Sequence, residues 1–364
     1  MTTDEKYMWR CIQLAKCGQQ NARPNPMVGA VIVVADRIIG EGYHIRCGEA
    51  HAEVNAFASV KADDERLLHE ATIYVSLEPC AHYGKTPPCA ELIVRKGVKR
   101  CVVGCVDPFA KVEGRGIAML REAGIDVTVG VLERECRWLN RRFFTFNVWR
   151  RPYIILKWAQ SSDGFIDKDF HAYPFSTAFT RTLVHKMRAE NDAILVGRTT
   201  DRRESPRLDV RHWAGRNPLR LVLDSSHPCF PELDFSRPVL PQLMDSLYNR
   251  NVQSLLVEGG KATLDSFLKE GLWDEIRVET SPVVIGEGTP APHLPHGIIP
   301  LSQQVVDGNR LSVYTKSTSQ EREVKEVKEV KEVKDVCQSP ENSRKEAKRL
   351  LSLTSLTSLT SITS

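Results

Sequence analysis

Two α/β units in tandem, followed by a low-complexity tail, are the fold class predicted by this sequence of 364 residues. Three observations predict it. Helical and strand signals alternate up to about residue 147, the alternation restarts at Tyr153, and the composition collapses after about residue 317. The expected segments are therefore 1–147, 150–316 and 317–364, with no long linker between the first two, so these should pack together.

In the first unit a helix opens at Thr3 and the strand-like VGAVIVVA follows. A helix then starts at about His51, a strand at ATIYVSL, a helix at about Cys89, and strands at RCVVGCV and DVTVGVL. The basic, aromatic-rich RRFFTFNVWRRP leads to a fresh strand at Tyr153. The second unit continues through DAILVGR, LRLVLD and SLLVEGG to VYTK. From Val324 to Val336 the chain repeats Val-Lys-Glu, then Leu-Thr-Ser to the end. A three-residue period suits neither a helical stripe nor a strand, so a disordered tail or a fraying helix is expected.

Fifty Lys and Arg against 46 Asp and Glu leave a formal charge of +4, too balanced for a nucleic-acid stripe or a polybasic membrane anchor. The acidic N-terminus has no apolar core of signal-peptide length, and Met27–Ala35 is too short to span a bilayer, so a cytoplasmic protein is expected. Eight of the ten cysteines lie before residue 137, which in a reducing compartment favours free thiols and a metal site over disulfides.

His51-Ala-Glu53 opens a helix, Pro79-Cys80 ends a strand, and Cys89 starts the next helix. One imidazole and two thiolates suit a catalytic zinc with a fourth position open for water. A carboxylate two residues after the His can shuttle a proton from water to a leaving amine without binding the metal. This ordered set is the signature of zinc deaminases. Nucleic-acid deaminases commonly separate the two cysteines by two residues, whereas eight stand here, which places His82, Lys85 and Thr86 where a sugar phosphate could be met. Arg23-Pro24-Asn25-Pro26 stiffens a loop around an amide, and Asp107, Lys111 and Arg115 follow a strand end where α/β sheets bind ligands.

RPNPMVGAVIV, GEGYH, HAEVNAF and SLEPCAHYGKTPPCAELI, with the later KWAQSSDG, DAILVGR and VEGG, resemble the bifunctional deaminase–reductases of riboflavin biosynthesis, in order from about residue 4 to 316. The resemblance implies a cytidine-deaminase-like α/β/α sandwich followed by a dihydrofolate-reductase-like α/β domain. It implies hydrolysis of the 2-amino group of a diaminopyrimidinone ribosyl phosphate, then reduction of the ribosyl side chain to ribityl with NADPH. Zinc falls on His51, Cys80 and Cys89, with Glu53 as the proton shuttle. Substrate contacts are implied at Asn25, His82 and Lys85 for deamination, and at Arg188, Leu208, Arg211 and Glu258 for reduction. Cofactor contacts are implied at Ala159, Thr200, Glu204, Ser225, Gly260, Lys261, Ala262, Thr263, Leu264, Asp265 and Ser266. The resemblance also implies a homo-oligomer.

Bottom-up signals in the second unit are weaker. No Gly-x-Gly-x-x-Gly follows a strand. Val257-Glu258-Gly259-Gly260 instead closes a strand and feeds a helix near Ala262, whose N-terminus can hold a phosphate. Arg188 and Arg211 are expected as clamps on a substrate phosphate, the alternative being surface ion pairs. Relative to the family pattern, Phe109 replaces an Asn, Ala172-Tyr-Pro174 replaces Ser-x-Trp, and Glu204-Ser205-Pro206 replaces Asp-Asp-Pro. Competing readings follow: a deaminase whose second unit only binds or assembles, or a structural zinc closed by His44 or Cys47. A nucleic-acid deaminase would need a basic groove and a short Cys-x-x-Cys, and neither is present.

Overall fold

The structure, a computed structural model, describes residues 1–83, 87–108 and 114–316. Lys85, Thr86, Phe109, Lys111 and the repeat tail, all singled out from the sequence, lie outside the described residues.

A capping box between Thr2 and Glu5 starts α1 (Thr3–Lys16). There follow β1 (Gly29–Val34), β2 (Arg37–Tyr43), α2 (Ala52–Ala58), a 3-10 stretch (Ala62–Glu70), β3 (Thr72–Val75), α3 (Cys89–Lys96) and β4 (Arg100–Val103). Then come α4 (Arg115–Glu122), β5 (Asp126–Val129), α5 (Glu133–Leu139) and α6 (Arg141–Trp149). The sheet order is β2-β1-β3-β4-β5, with β3, β4 and β5 parallel and β1 antiparallel to both of its neighbours. Period-2 alternation divides each strand between two cores. Ala30 and Ile32 of β1 join Ala52, Ala56 and Phe57 of α2 on one face, while Val31 and Val33 join Tyr7, Met8 and Cys11 of α1 on the other. The result is a three-layered α/β/α sandwich.

Arg150–Pro152 carries the chain to β6 (Tyr153–Gln160), a short ribbon of β7 (Asp167–Lys168) and β8 (His171–Ala172), and α7 (Ala178–Ala189). After it come β9 (Ala193–Gly197), α8 (Arg198–Glu204), β10 (Leu219–Leu223), α9 (Val239–Asn249), β11 (Ser254–Val257), α10 (Lys261–Lys269), β12 (Glu275–Thr280), β13 (Ser302–Val306) and β14 (Asn309–Thr315). The second sheet runs β10-β9-β11-β6-β12-β14-β13, parallel from β10 to β12 and closed by the antiparallel β13–β14 hairpin. Ile154, Leu156, Leu195 and Val257 face α9 and α10, whereas Ile155, Ile194 and Leu256 face Met187 of α7.

The structure adds elements the sequence reading did not name. RRFFTFNVW is the helix α6. β2 pairs with β1 through a two-residue turn, Ala35-Asp36, with both φ values positive (47° and 62°), the geometry of a primed hairpin turn built without its usual Gly. Met1–Tyr314 forms one compact unit that holds both sheets. Across the halves Arg141 pairs with the buried Glu275 at 3.7 Å, and Phe146 packs on Tyr248 at 4.7 Å between ring centroids.

Candidate active sites

The first site is assembled where α2 and α3 start over the end of β3. Gly40 and Gly42 let α2 lie close on β2: a Cβ on Gly42 would stand 2.4 Å from the Ala56 nitrogen. His51 is the N-cap residue of α2 and Glu53 lies in its first turn, buried. Cys89 is the first residue of α3, and its backbone N–H donates to the Cys80 sulfur at 3.3 Å. The chain end of β3 is fixed from the other side, because a Cβ on Gly116 of α4 would lie 2.0 Å from the Pro79 carbonyl oxygen.

His51 Nδ1 lies 3.3 Å from Cys89 Sγ and 3.6 Å from Cys80 Sγ, and the three donor atoms lie within 4.8 Å of one another. A tetrahedral zinc, with bonds of about 2.0–2.1 Å to nitrogen and about 2.3 Å to sulfur, sets nitrogen and sulfur about 3.6 Å apart. The donor set and its spacing therefore fit zinc. The Cys80 thiol is drawn well down by the Cys89 thiol, His51 and the Cys89 N–H, against the opposing effect of burial. Cys89 is pushed up by its bond to Cys80 and by burial. Burial, reinforced by the charge of Cys80, raises the Glu53 carboxyl to about 7.

His44 and Cys47 do not close the coordination. The His44 ring nitrogens meet Asn25 Nδ2 at 3.1 Å and the Ala50 carbonyl at 3.0 Å, and its ring packs edge-on against His51 at 5.5 Å. Cys47 is exposed and lies outside the metal-type cluster found among the described residues. Three protein ligands with a fourth position open is the pattern of a catalytic zinc site. The same contacts bring Asn25 to the site through His44. His82 is exposed on the loop between the cysteines.

Glu78 was not singled out from the sequence, yet it organises the floor of the site. Its buried carboxylate accepts from the backbone N–H groups of Asp107 (3.3 Å), after β4, and of Gly114 (3.0 Å), Gly116 (2.9 Å) and Ile117 (3.4 Å), three donors at the start of α4. An acidic residue at a strand end just before the Pro-Cys pair was the available signal.

The second site lies at the carboxyl ends of β9, β11 and β6, the usual ligand edge of a parallel sheet. α8 starts at Gly197 and α10 at Gly260, neither with a side-chain cap. The two starts abut: Gly197 N–H donates to the Gly259 carbonyl at 2.9 Å. A Cβ on Gly197 would lie 2.2 Å from Thr263 Oγ1, and one on Gly260 2.8 Å from Thr200 Oγ1. The uncapped N–H groups at the start of α10, with two threonine hydroxyls packed against the glycines, fit a phosphate-bearing cofactor. Thr200, Gly260, Lys261 and Thr263 are thus gathered. Ala159 lies near the end of β6, while Ser225, Glu204, Ala262 and Ser266 are exposed around the same edge. Asp265 pairs with Lys261 at 2.6 Å.

Leu264 (1% exposed) and Leu208 (4%) are buried in the core clusters. Arg188 and Arg211 are both ion-paired. Arg188 donates to Glu258 at 2.9 and 2.7 Å and to the Asp209 carbonyl at 3.2 Å, and Arg211 pairs with the Asp209 carboxylate. Arg188 and Glu258 form one ion pair beside β11, and Asp209 links it to Arg211 through its backbone carbonyl on one side and its carboxylate on the other. At the altered family positions, Ala172 ends β8, Ser176 bonds Glu279 at 2.7 Å, and Glu204 ends α8.

Comparison with known proteins agrees with this geometry. Residues 1–105 match the family model of the cytidine and deoxycytidylate deaminase zinc-binding region, and residues 152–298 match that of the RibD C-terminal domain. The riboflavin biosynthesis protein RibD of Aquifex aeolicus is 38% identical over 327 residues, covering 78% of this chain and 88% of its own. That of Escherichia coli is 35% identical over 332 residues, covering 78% and 89%. The crystal structure of a Thermotoga maritima diaminohydroxyphosphoribosylaminopyrimidine deaminase/5-amino-6-(5-phosphoribosylamino)uracil reductase superposes with a TM-score of 0.77 at 34% identity, over 86% of this chain and 98% of that one. Acinetobacter baumannii RibD gives 0.73 at 30% identity over the same shares. With zinc-type donors in its first half and a glycine-lined cofactor edge in its second, this chain belongs to the RibD family, the bifunctional zinc-dependent deaminases and NADPH-dependent reductases of riboflavin biosynthesis.

Proposed function

We propose that His51, Cys80 and Cys89 hold the zinc and that Glu53 carries the protons in hydrolysis of the 2-amino group of 2,5-diamino-6-ribosylamino-4(3H)-pyrimidinone 5′-phosphate. The observation that carries this reading is a three-donor cluster at zinc spacing with a buried carboxylate two residues from its imidazole. Zinc, when bound, supplies the Lewis acidity that makes water nucleophilic near neutral pH. Glu53 takes one proton from the attacking water and passes it to the ring nitrogen, then takes the second from the hydroxyl of the adduct and passes it to the departing amine, so that water is consumed, a carbonyl forms and ammonia leaves. Asn25, His82 and Lys85 contact the substrate.

The second half then reduces the ribosyl side chain to ribityl. NADPH supplies the hydride, and the chain positions it. Gly260 and the first turn of α10, Thr263 included, with Thr200 opposite, hold its phosphates, while Ala159, Ser225 and Glu204 border the same edge. The Arg188–Glu258 pair and Arg211 line the substrate side. The division at 147–152, a homo-oligomer and a cytoplasmic location belong to the same proposal. Among the described residues no helix is long and apolar enough to cross a membrane.

The test is metal removal. Purified protein is expected to carry one zinc per chain. Chelation should abolish ammonia release and leave NADPH oxidation on the deaminated substrate intact, and zinc should restore the first activity. Deamination that persists without metal would contradict the assignment.

A further inference from the structure

The Arg23–Met27 loop, which carries Asn25 to the deaminase site, is held from both ends by side chains that belong to other parts of the molecule. At its far end Asn140, buried between α5 and α6, accepts from Met27 N–H and donates to the Met27 carbonyl, both at 2.8 Å. At its near end the partners come from the second half. Arg23 pairs with Asp192 at 2.7 Å and donates to the Glu190 and Ala189 carbonyls at 3.4 and 3.3 Å, where α7 ends and its last carbonyls lack helical partners. Gln253 Nε2 donates to the Pro24 carbonyl at 2.7 Å.

Asp192 and Gln253 are themselves fixed. The second carboxylate oxygen of Asp192 accepts from Gln253 N–H, Ser254 N–H and Ser254 Oγ at 3.0, 3.0 and 3.1 Å, which locks the turn before β9 to the start of β11. Arg23 and Asp192 are only about one-fifth exposed, so the pair is shielded from solvent more than a surface bridge. Between these two anchors the Asn25 amide is left facing His44, which packs on His51.

We propose that Arg23, Asp192 and Gln253 are positioning residues for deamination: the reductase half sets the loop that presents Asn25 to the substrate of the deaminase half. The proposal rests on the reading that Asn25 contacts that substrate. It makes the first activity depend on the second half's fold, without any reductase chemistry.

The experiment uses the full chain. In Arg23→Ala and Gln253→Leu, steady-state ammonia release should show KM raised about tenfold with kcat within about twofold, the loss expected for one misplaced hydrogen bond. Zinc content and NADPH oxidation on deaminated substrate should match the parent, and Arg23→Lys should recover part of the loss. Should Arg23→Ala fold poorly, Gln253→Leu carries the test. Asn25→Ala separates the two levels of the argument. If it raises KM while Arg23→Ala and Gln253→Leu do not, the positioning role is overturned and the Asn25 contact stands. If Asn25→Ala itself leaves KM unchanged, the Asn25 contact fails and the positioning role with it. A parallel fall in zinc content and both activities would mark Arg23 and Gln253 as general structural contacts and overturn the proposal.

Discussion

Glu53 is the residue on which the proposed deamination turns, because it combines burial with a carboxyl raised to about 7 beside the zinc-type donors. Glu53→Gln keeps the shape and removes the proton carrier, so kcat for ammonia release should fall by about 10²–10⁴ while metal analysis still finds zinc. Loss of zinc together with activity would make Glu53 a structural support instead. Glu258 tests the other half. Burial pushes its carboxyl up, but the hydrogen bonds and charge of Arg188 outweigh this and hold it below the usual range. A depressed folded value means that the unfolded chain takes the proton first, so the pair stabilises fully above the ordinary carboxylate range and loses that stabilisation as pH falls through the folded value. Glu258→Gln should therefore be less stable than the parent at neutral pH, by roughly 3–5 kcal/mol, with the difference narrowing below about pH 4 in denaturation measured across pH. At this scale the zinc donors were legible, since His-x-Glu and Pro-Cys spacing is local chemistry. Glu78 was not, because its partners near Gly114 and Ile117 are distant in sequence, and the commitment of Arg188 to Glu258 spans 70 residues of chain.

Elements carry the site by close approach as much as by side chains. Gly42 has no special φ but faces the backbone of α2, and Gly116 faces the Pro79 carbonyl just before Cys80. Gly42→Ala should displace α2 and with it His51 and Glu53, costing about 1–3 kcal/mol by overpacking and lowering zinc affinity. Gly116→Ala should misplace Cys80. A zinc titration that finds parental affinity in both variants would refute this account of how the site is built. The strands of the parallel cores were readable as apolar runs. β2 was missed because Ala35-Asp36 makes its turn without Asn or Gly, and α6 because, after its two arginines, a run of Phe, Thr, Asn, Val and Trp lacks strong helix formers. The β13–β14 hairpin was signalled by Asp307-Gly308, whose φ values are positive (49° and 85°), but only VYTK was read.

At the scale of the molecule, two sheets lie in one compact unit, and the contacts between the halves include those that hold the deaminase loop. Order of motifs along the chain made both halves legible, whereas contacts between them depend on three-dimensional closure that no local pattern encodes. The altered Ala172, Pro174 and Ser205 positions make reduction the more demanding half of the assignment. The most direct measurement is a coupled assay on the purified full chain, supplied with the diaminopyrimidinone ribosyl phosphate and NADPH, following ammonia release and NADPH oxidation together. The account predicts both signals, with oxidation lagging ammonia and disappearing when Glu53→Gln blocks the first step. Ammonia release without any NADPH oxidation, in protein that deaminates well, would contradict it and leave the second half as a binding or assembly domain.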